Sequence, residues 1–502
     1  MILALLVALA SAAPGDVERG KPLYARRCAQ CHGDLGGGDG VAAAFVYPRP
    51  RVLSDGSFKL RSTPSGELPT DDDLFRVLTR GMPGTAMPSF AALPEQELWD
   101  LVAVVKSQCA DFADPAFIAA AVAVPALASQ PPPVTPEAVA RGKLAYTKAE
   151  CAKCHGALGR GDGPSWTTTA DDWGVRALPA NLHQPDRFRG GDDVASVFRT
   201  LTTGMNGAPM PSYADALTVD ERWDLATYVI SLGPPAGQRE PDRVVAKRVS
   251  SVPRGVDDPA WNDVAEARFA TAPNLIEAPR NYWPAVEFVS VKALYDASDL
   301  VLLVAWDDRG HDVGADLAAR YDDRDGALYT DTHHPDQLAV QFPSRPEELA
   351  RPFMLFGDGR RPVDLWWWRA SDDTVTARTA RGADRIRDEE PGVSAAIAHE
   401  TRFVDGRYTL YLRRARIAGP NDPAFEEGRW IPLSVHVWDG SRGEVGGRHA
   451  FTRWRWLVLE SEAPARATYG PVIAFVVTLL GLVGLARWYR TDTPPEPSGA
   501  HA

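Results

Sequence analysis

"CAQCHGDLGGGDG", residues 28–40, and "CAKCHGALGRGDG", residues 151–163, are one pattern written twice. Each copy sets two cysteines apart by two residues and puts a histidine directly after the second. A redox disulfide needs no such histidine, and the βαβ context that usually holds one is missing here. A zinc site needs a second ligand pair close by, whereas the two copies lie in separate segments. Two thiols at this spacing do reach the two vinyl groups of one haem, and the following histidine comes up beneath the iron. Covalent haem c on Cys28 and Cys31, and again on Cys151 and Cys154, is the expectation, with His32 and His155 as axial ligands.

The repetition extends well beyond the cysteines. "ERGKPLYARRCAQCHG" pairs with "ARGKLAYTKAECAKCHG", "TRGMPGTAMPSF" with "TTGMNGAPMPSY", and "ELWDLVAVV" with "ERWDLATYV". Two copies of this length are tandem domains rather than a solenoid. Both read as helical. Leu74, Val77 and Leu78 recur at helical spacing behind an N-terminal cap of Thr70 and Asp73. The second copy places Val194, Val197, Phe198 and Leu201 on one face. A later helix in each carries Leu101, Val102 and Val105, or Leu225, Ala226 and Val229.

A low-spin haem needs a sixth ligand, and the chain has only six methionines. Four of them, Met82 with Met87 and Met205 with Met210, fall at matching distances after the two histidines. Met87 and Met210 both open "MPS" plus an aromatic residue, so these two are expected on the haem c irons. A thioether there stabilises reduced iron, as suits an electron carrier. The runs "GGGDG" and "GRGDG" lack the Gly-Lys-Ser/Thr of a phosphate loop and read as backbone close to a haem edge. Pro50 and Pro179 occupy similar points in the copies, and their carbonyls are expected to accept the axial histidine N–H.

The chain has 502 residues, a net charge of −12 and five cysteines. There is no basic stripe, which argues against a nucleic-acid partner. The one cysteine outside the motifs, Cys109, reads as a packed thiol. Residues 1–13, "MILALLVALASAA", have an apolar run ending in a small-x-small pattern and read as a signal peptide. Residues 467–486 carry no charge and are long enough to cross a bilayer. Arg487 and Arg490 follow them, while Glu460 and Glu462 precede them. The expectation is a single C-terminal transmembrane helix with residues 487–502 in the cytoplasm and the rest on the periplasmic face of a bacterial inner membrane.

Residues 111–136 end in a proline run and read as a semi-extended linker between domains at 15–110 and 137–234. After residue 245 the texture turns to short β-branched and aromatic runs punctuated by Gly, Asp and Pro. That is the signature of an all-β sandwich or barrel over 245–465.

Residues 15–110 and 137–234 resemble class I cytochrome c domains on their CxxCH and MPS(F/Y) elements. Tandem domains of this kind also resemble the dihaem subunit of cbb3-type oxidases, a likeness that stops at residue 235. The third segment resembles the haem-binding gamma subunits of the ethylbenzene and dimethylsulfide dehydrogenase family. The residues that carry this are "DDPAWNDVAEARF", "VSVKALYDASDLVLLVAWDD", "DQLAVQFP", "RPFMLFGDGRRPVDLWWWRA" and "VHVWDGSRGEVGGRHAFTRWRWLVL". The resemblance implies a β-sandwich holding one haem b between a methionine and a lysine. Here Met354, or its neighbour Phe356, stands in the methionine's segment, and His449 stands where the lysine is expected. The resemblance therefore implies either a haem b between Met354 and His449 or a domain that has lost its haem and only docks a partner.

Together these point to a multidomain, membrane-anchored multihaem cytochrome. It would relay electrons between a molybdopterin and iron–sulfur oxidoreductase, of the dimethylsulfide/ethylbenzene dehydrogenase, nitrate/nitrite or selenate type, and the respiratory chain. A soluble cytochrome or a membrane quinol-linked complex would be the other partner. No catalytic residue is recognisable, so the catalytic centre is expected in another chain. The rivals are a dihaem subunit of a terminal oxidase or nitric oxide reductase, and a ligand-binding β-sandwich fused to cytochromes.

Overall fold

The computed structural model describes residues 15–234, 240–314, 334–345, 351–388, 396–417, 423–461 and 465–491. The expected signal peptide lies outside these residues.

The first helical unit opens with α1 (Val17–Arg27), which Asp16 caps through the Arg19 N–H. The one-turn α2 (Ala29–His32) follows, then α3 (Asp71–Arg80) and α4 (Glu95–Ser107). Thr70 and Asp73 close a full capping box on α3, so two otherwise orphaned N–H groups are satisfied by each other's side chains. Leu74, Leu78, Leu98, Leu101, Val102 and Val105 form the core where these helices meet. Residues 110–128 are partly helical, with the short α5 (Pro115–Ala120), rather than an extended spacer. Val124 N–H bonds to Ser62 O and Ser129 Oγ accepts from Trp223 Nε1, so the connection packs on both flanking units.

The second unit repeats the plan with α6 (Pro136–Lys148), α7 (Ala152–His155), α8 (Val194–Thr203) and α9 (Val219–Ser231). Equivalent contacts recur. Arg19 forks onto Asp100 and Arg141 onto Asp224. Phe75 stacks on Trp99 at 4.4 Å, as Phe198 does on Trp223 at 3.8 Å. Helices α6 and α9 cross so closely at Gly142 that a Cβ there would lie 2.1 Å from Asp224 O. Glycine is the residue that allows this crossing.

The β region contains β1 (Arg243–Arg248), β2 (Ala267–Pro273), β3 (Phe288–Tyr295), β4 (Asp299–Asp307), β5 (Gln337–Pro343), β6 (Val363–Arg369) and β7 (Thr374–Ala380). It continues with β8 (Ile386–Asp388), β9 (Ala398–Val404), β10 (Arg407–Ala415), β11 (Trp430–Trp438), β12 (Ala450–Thr452) and β13 (Arg455–Leu459). The strands run in the order β8-β7-β6-β5-β11-β12-β2-β3-β4-β10-β9, with β1 joined in parallel to β13 and β3. The sheet folds over on itself. Trp306 of β4 meets Trp368 of β6 edge-on at 5.8 Å although their strands stand far apart in that order. One apolar core lies between the two layers, with Val289, Val304, Leu338, Trp366, Leu410 and Val435 among its fully buried members.

The C-terminal expectation needs correction. A helix, α10 (Ala465–Thr491), does run through the segment. Among the described residues, however, no helix is long and apolar enough to cross a membrane. The transmembrane helix at 467–486, the cytoplasmic tail at 487–502 and the assignment to the periplasmic face of a membrane are therefore not sustained.

Candidate haem centres

Each cysteine pair sits where a long helix gives way to a single helical turn. Cys28 N–H still bonds to Tyr24 O, and His32 N–H bonds back to Cys28 O at 2.9 Å. The turn brings both cysteines and the histidine to one cavity, whose wall also includes Met82, Met87 and Phe58. Tyr24 Oη clamps the exit of the turn by donating to Gly33 O at 2.9 Å, and Tyr146 Oη does the same to Gly156 O at 2.6 Å. Burial pushes the thiols of Cys28 and Cys151 up to about 11.

The axial histidines are oriented from behind. His32 Nδ1 lies 3.0 Å from Arg51 O, and His155 Nδ1 lies 2.9 Å from Ala180 O. These carbonyls belong to the residues just after Pro50 and Pro179, one position beyond those expected. Donation from Nδ1 fixes the tautomer that leaves Nε2 with a free lone pair for iron. Burial lowers both imidazole pKa values, so the rings are neutral and ready to ligate. Close approach of backbone explains the glycine run in the second copy. Gly161 has φ +81°, and a Cβ on it would lie 2.8 Å from Pro179 O. Its neighbour there is the loop that orients His155.

All four paired methionines line the cavities: Met82 and Met87 the first, Met205 and Met210 the second. In each pair the earlier N–H donates to the later carbonyl, Met82 to Met87 at 3.1 Å and Met205 to Met210 at 2.9 Å. Met87 and Met210 pack on the apolar cores of their units. The residues present thus fit a covalently held haem in each unit: two thiols, a neutral imidazole and facing thioethers around one cavity.

The two cavities differ in their surroundings. The second holds about 570 Å³ against about 150 Å³ for the first. Cys151, Cys154, His155 and Met210 line it together with Trp283, Phe288, Asp308 and Arg309 of the β region. Tyr47 of the first unit reaches the same cavity, donating to Arg176 O at 3.1 Å and accepting from Leu178 N–H at 3.0 Å. Arg309 donates to Gly161 O and Pro179 O, and Arg160 pairs with Asp307 at 3.3 Å. All three units therefore build the second centre. Sequence reasoning missed Tyr47 and Asp307, because their roles depend on contacts between units that no local period records.

The residues expected to hold a haem b do not fit one. His449 is fully buried, and both ring nitrogens are engaged. Nε2 lies 3.0 Å from His436 Nδ1, and Nδ1 faces the carbonyls of Gly446 and Gly447 at 3.1 Å. The ring stacks on Trp438 at 4.6 Å and meets Phe356 at 5.5 Å. Met354 packs against the cluster that contains Phe356, Trp367 and Trp438. Packed rings thus occupy the ground around His449, and its lone pair is already used.

Three matches to known families agree with this division. Residues 15–104 match the family described as cytochrome C oxidase, cbb3-type, subunit III, residues 139–233 match cytochrome c, and residues 258–385 match ethylbenzene dehydrogenase. The protein named respiratory nitrate reductase heme subunit ORF7, from Haloferax mediterranei, is 24% identical over 271 residues, covering 52% of this chain and 89% of its own length. The chlorate reductase subunit gamma of Ideonella dechloratans is 29% identical over 122 residues, 24% of this chain and 48% of that protein. A chain of the Kuenenia stuttgartiensis reducing HAO-like protein complex is 39% identical, covering 45% of this chain and all of that one, with a TM-score of 0.42. This chain joins two cytochrome c domains, a kind of domain that indicates covalent haem c, to a domain like the gamma subunit of ethylbenzene dehydrogenase.

Proposed function

We propose that the chain is the electron-transfer subunit of a molybdopterin oxidoreductase complex, with two covalent haems c and no substrate chemistry of its own. The observation that carries this reading is the shared wall of the second cavity. Residues of the β domain, Trp283, Phe288, Asp308 and Arg309, line the same cavity as Cys151 and His155. An electron arriving at a partner docked on the β domain would meet the second haem first and the first haem next. Cys28, Cys31, His32 and Met87 hold the first haem in this reading, and Cys151, Cys154, His155 and Met210 the second. Bound haem supplies the one-electron couple. The protein orients the imidazoles, keeps them neutral and limits the contact of water with the second centre.

The names of the relatives, a nitrate reductase heme subunit and a chlorate reductase gamma subunit, support a reductase complex as the setting. The β domain is read as a docking platform that holds no haem b between His449 and Met354. Affinity purification of the tagged chain from its native cells, followed by metal analysis, tests the proposal. Molybdenum in roughly equal amount to the chain, together with iron–sulfur protein, is the expected result. Terminal oxidase subunits in its place, or no molybdenum, would overturn it.

A further inference from the structure

Five cationic side chains line the first cavity, Arg27 and Arg49 among them, and three of the five come together from two domains. Arg51 and Lys59 come from the first cytochrome domain and Arg189 from the second, and all three line the wall. Arg189 also lines the second cavity. Its loop is pinned to the first domain on both sides. Arg80 donates to Gly190 O at 3.2 Å and pairs with Asp192 at 2.8 Å. Arg51 is held in turn by the second domain, its guanidinium lying 4.3 Å from the centre of the Trp173 ring. The docking of the two domains thus assembles the cluster.

Among the described residues Lys59 has no ion-pair partner. Burial, with Arg189 and Arg51 close by, pushes its ammonium down to about 6 and outweighs the opposing pull of Asp171. A buried ammonium beside two guanidinium groups is costly unless an anion joins it. A haem held by Cys28 and Cys31 brings two carboxylates into this same cavity.

We propose that Lys59, Arg51 and Arg189 form a cross-domain seat for the carboxylates of the first haem, and that Arg189, standing in both cavity walls, couples the charges of the two haems. The inference rests on the reading of two covalent haems. A cation near a haem favours the reduced state, which carries one positive charge fewer, so losing it lowers the potential.

The test is a redox titration of the full-length haem-loaded protein. Cys28→Ala/Cys31→Ala identifies which of the two components belongs to the first haem. Lys59→Gln is expected to lower that component by about tenfold in its reduction equilibrium, 59 mV for one electron. Arg189→Met lowers both components. Lys59→Arg keeps the wild-type value, as does Arg26→Met at an exposed position on α1. If Lys59→Gln and Arg189→Met both retain two haems per chain and potentials within twofold of wild type in equilibrium constant, the seat is refuted. If the wild-type protein carries fewer than two haems, the two-haem reading fails and takes this inference with it.

Discussion

Asn181 Nδ2 donates to Asp307 Oδ2 at 2.7 Å, and that one bond ties the loop behind His155 to the end of β4. The residue before it, Ala180, is the one whose carbonyl orients His155. Asp307 also takes Arg407 at 2.7 Å and Arg160 at 3.3 Å. Burial alone would raise this carboxyl, but Arg407, Asn181 and Arg160 outweigh it and hold the group below the usual carboxylate range. A depressed carboxylate contributes stability above its unfolded pKa and loses it as pH falls through the folded one. Docking through Asp307 is therefore fully present at neutral pH and weakens only in acid.

Asp307→Ala should uncouple the β domain from the second cytochrome domain. Loss of charge-assisted bonds at a largely buried carboxylate costs on the order of 1.5–3 kcal/mol. Denaturant unfolding followed by tryptophan fluorescence and by haem absorbance should give one transition in the wild type and two in the variant. A single unshifted transition in the variant would show that Asp307 does not dock the domains.

Met87→Leu and Met210→Leu should each remove the weak charge-transfer band of one oxidised haem and lower that haem's potential. Met82→Leu and Met205→Leu should leave both unchanged. The packing of Met87 and Met210 on their domain cores motivates this choice. Loss of the band in the Met82 and Met205 variants would reverse it.

Glu444 should make the β domain less stable as pH rises. Burial and nearby Asp439 push its carboxyl from 4.5 to about 8, against the pull of Arg442 and Arg448. Its oxygens accept from Asn281 Nδ2 at 2.7 Å and Asp439 N–H at 3.0 Å. A raised pKa means the contribution is complete below about 4.5 and lost as pH climbs through about 8. The expected slope approaches about 1.4 kcal/mol per pH unit for one proton. Thermal unfolding of wild type and Glu444→Gln between pH 5 and 8 checks it: the slope should flatten in the variant. Parallel curves would mean that Glu444 is ionised in the folded protein.

What could be read in the sequence was what local spacing encodes. Cys28, Cys31 and His32 are close in sequence and so must be close in space, and the Thr70–Asp73 cap lies within one helical turn. The orienting carbonyls were placed one residue early, since which group meets Nδ1 depends on how the loop bends after Pro50 and Pro179. The pattern "VHVW" at 435–438 puts His436 and Trp438 on one face of β11, and the return through β12 brings His449 back onto them. That hairpin register was the available signal that His449 belongs to a packed cluster. Arg189, Tyr47 and Asp307 act across domain boundaries, where neither periodicity nor motif reaches. At the C-terminus, uncharged composition over 467–486 suggested a membrane span, but among the described residues no helix is long and apolar enough to cross a membrane.

The most direct test of the account is the haem inventory of the purified full-length chain by the pyridine haemochrome spectrum, with haem-stained denaturing gels. The prediction is two haems c per chain, one lost in Cys28→Ala/Cys31→Ala and both lost when Cys151 and Cys154 are also replaced, with no haem b signal at any stage. A haem b band, or a single haem c per chain, would contradict it.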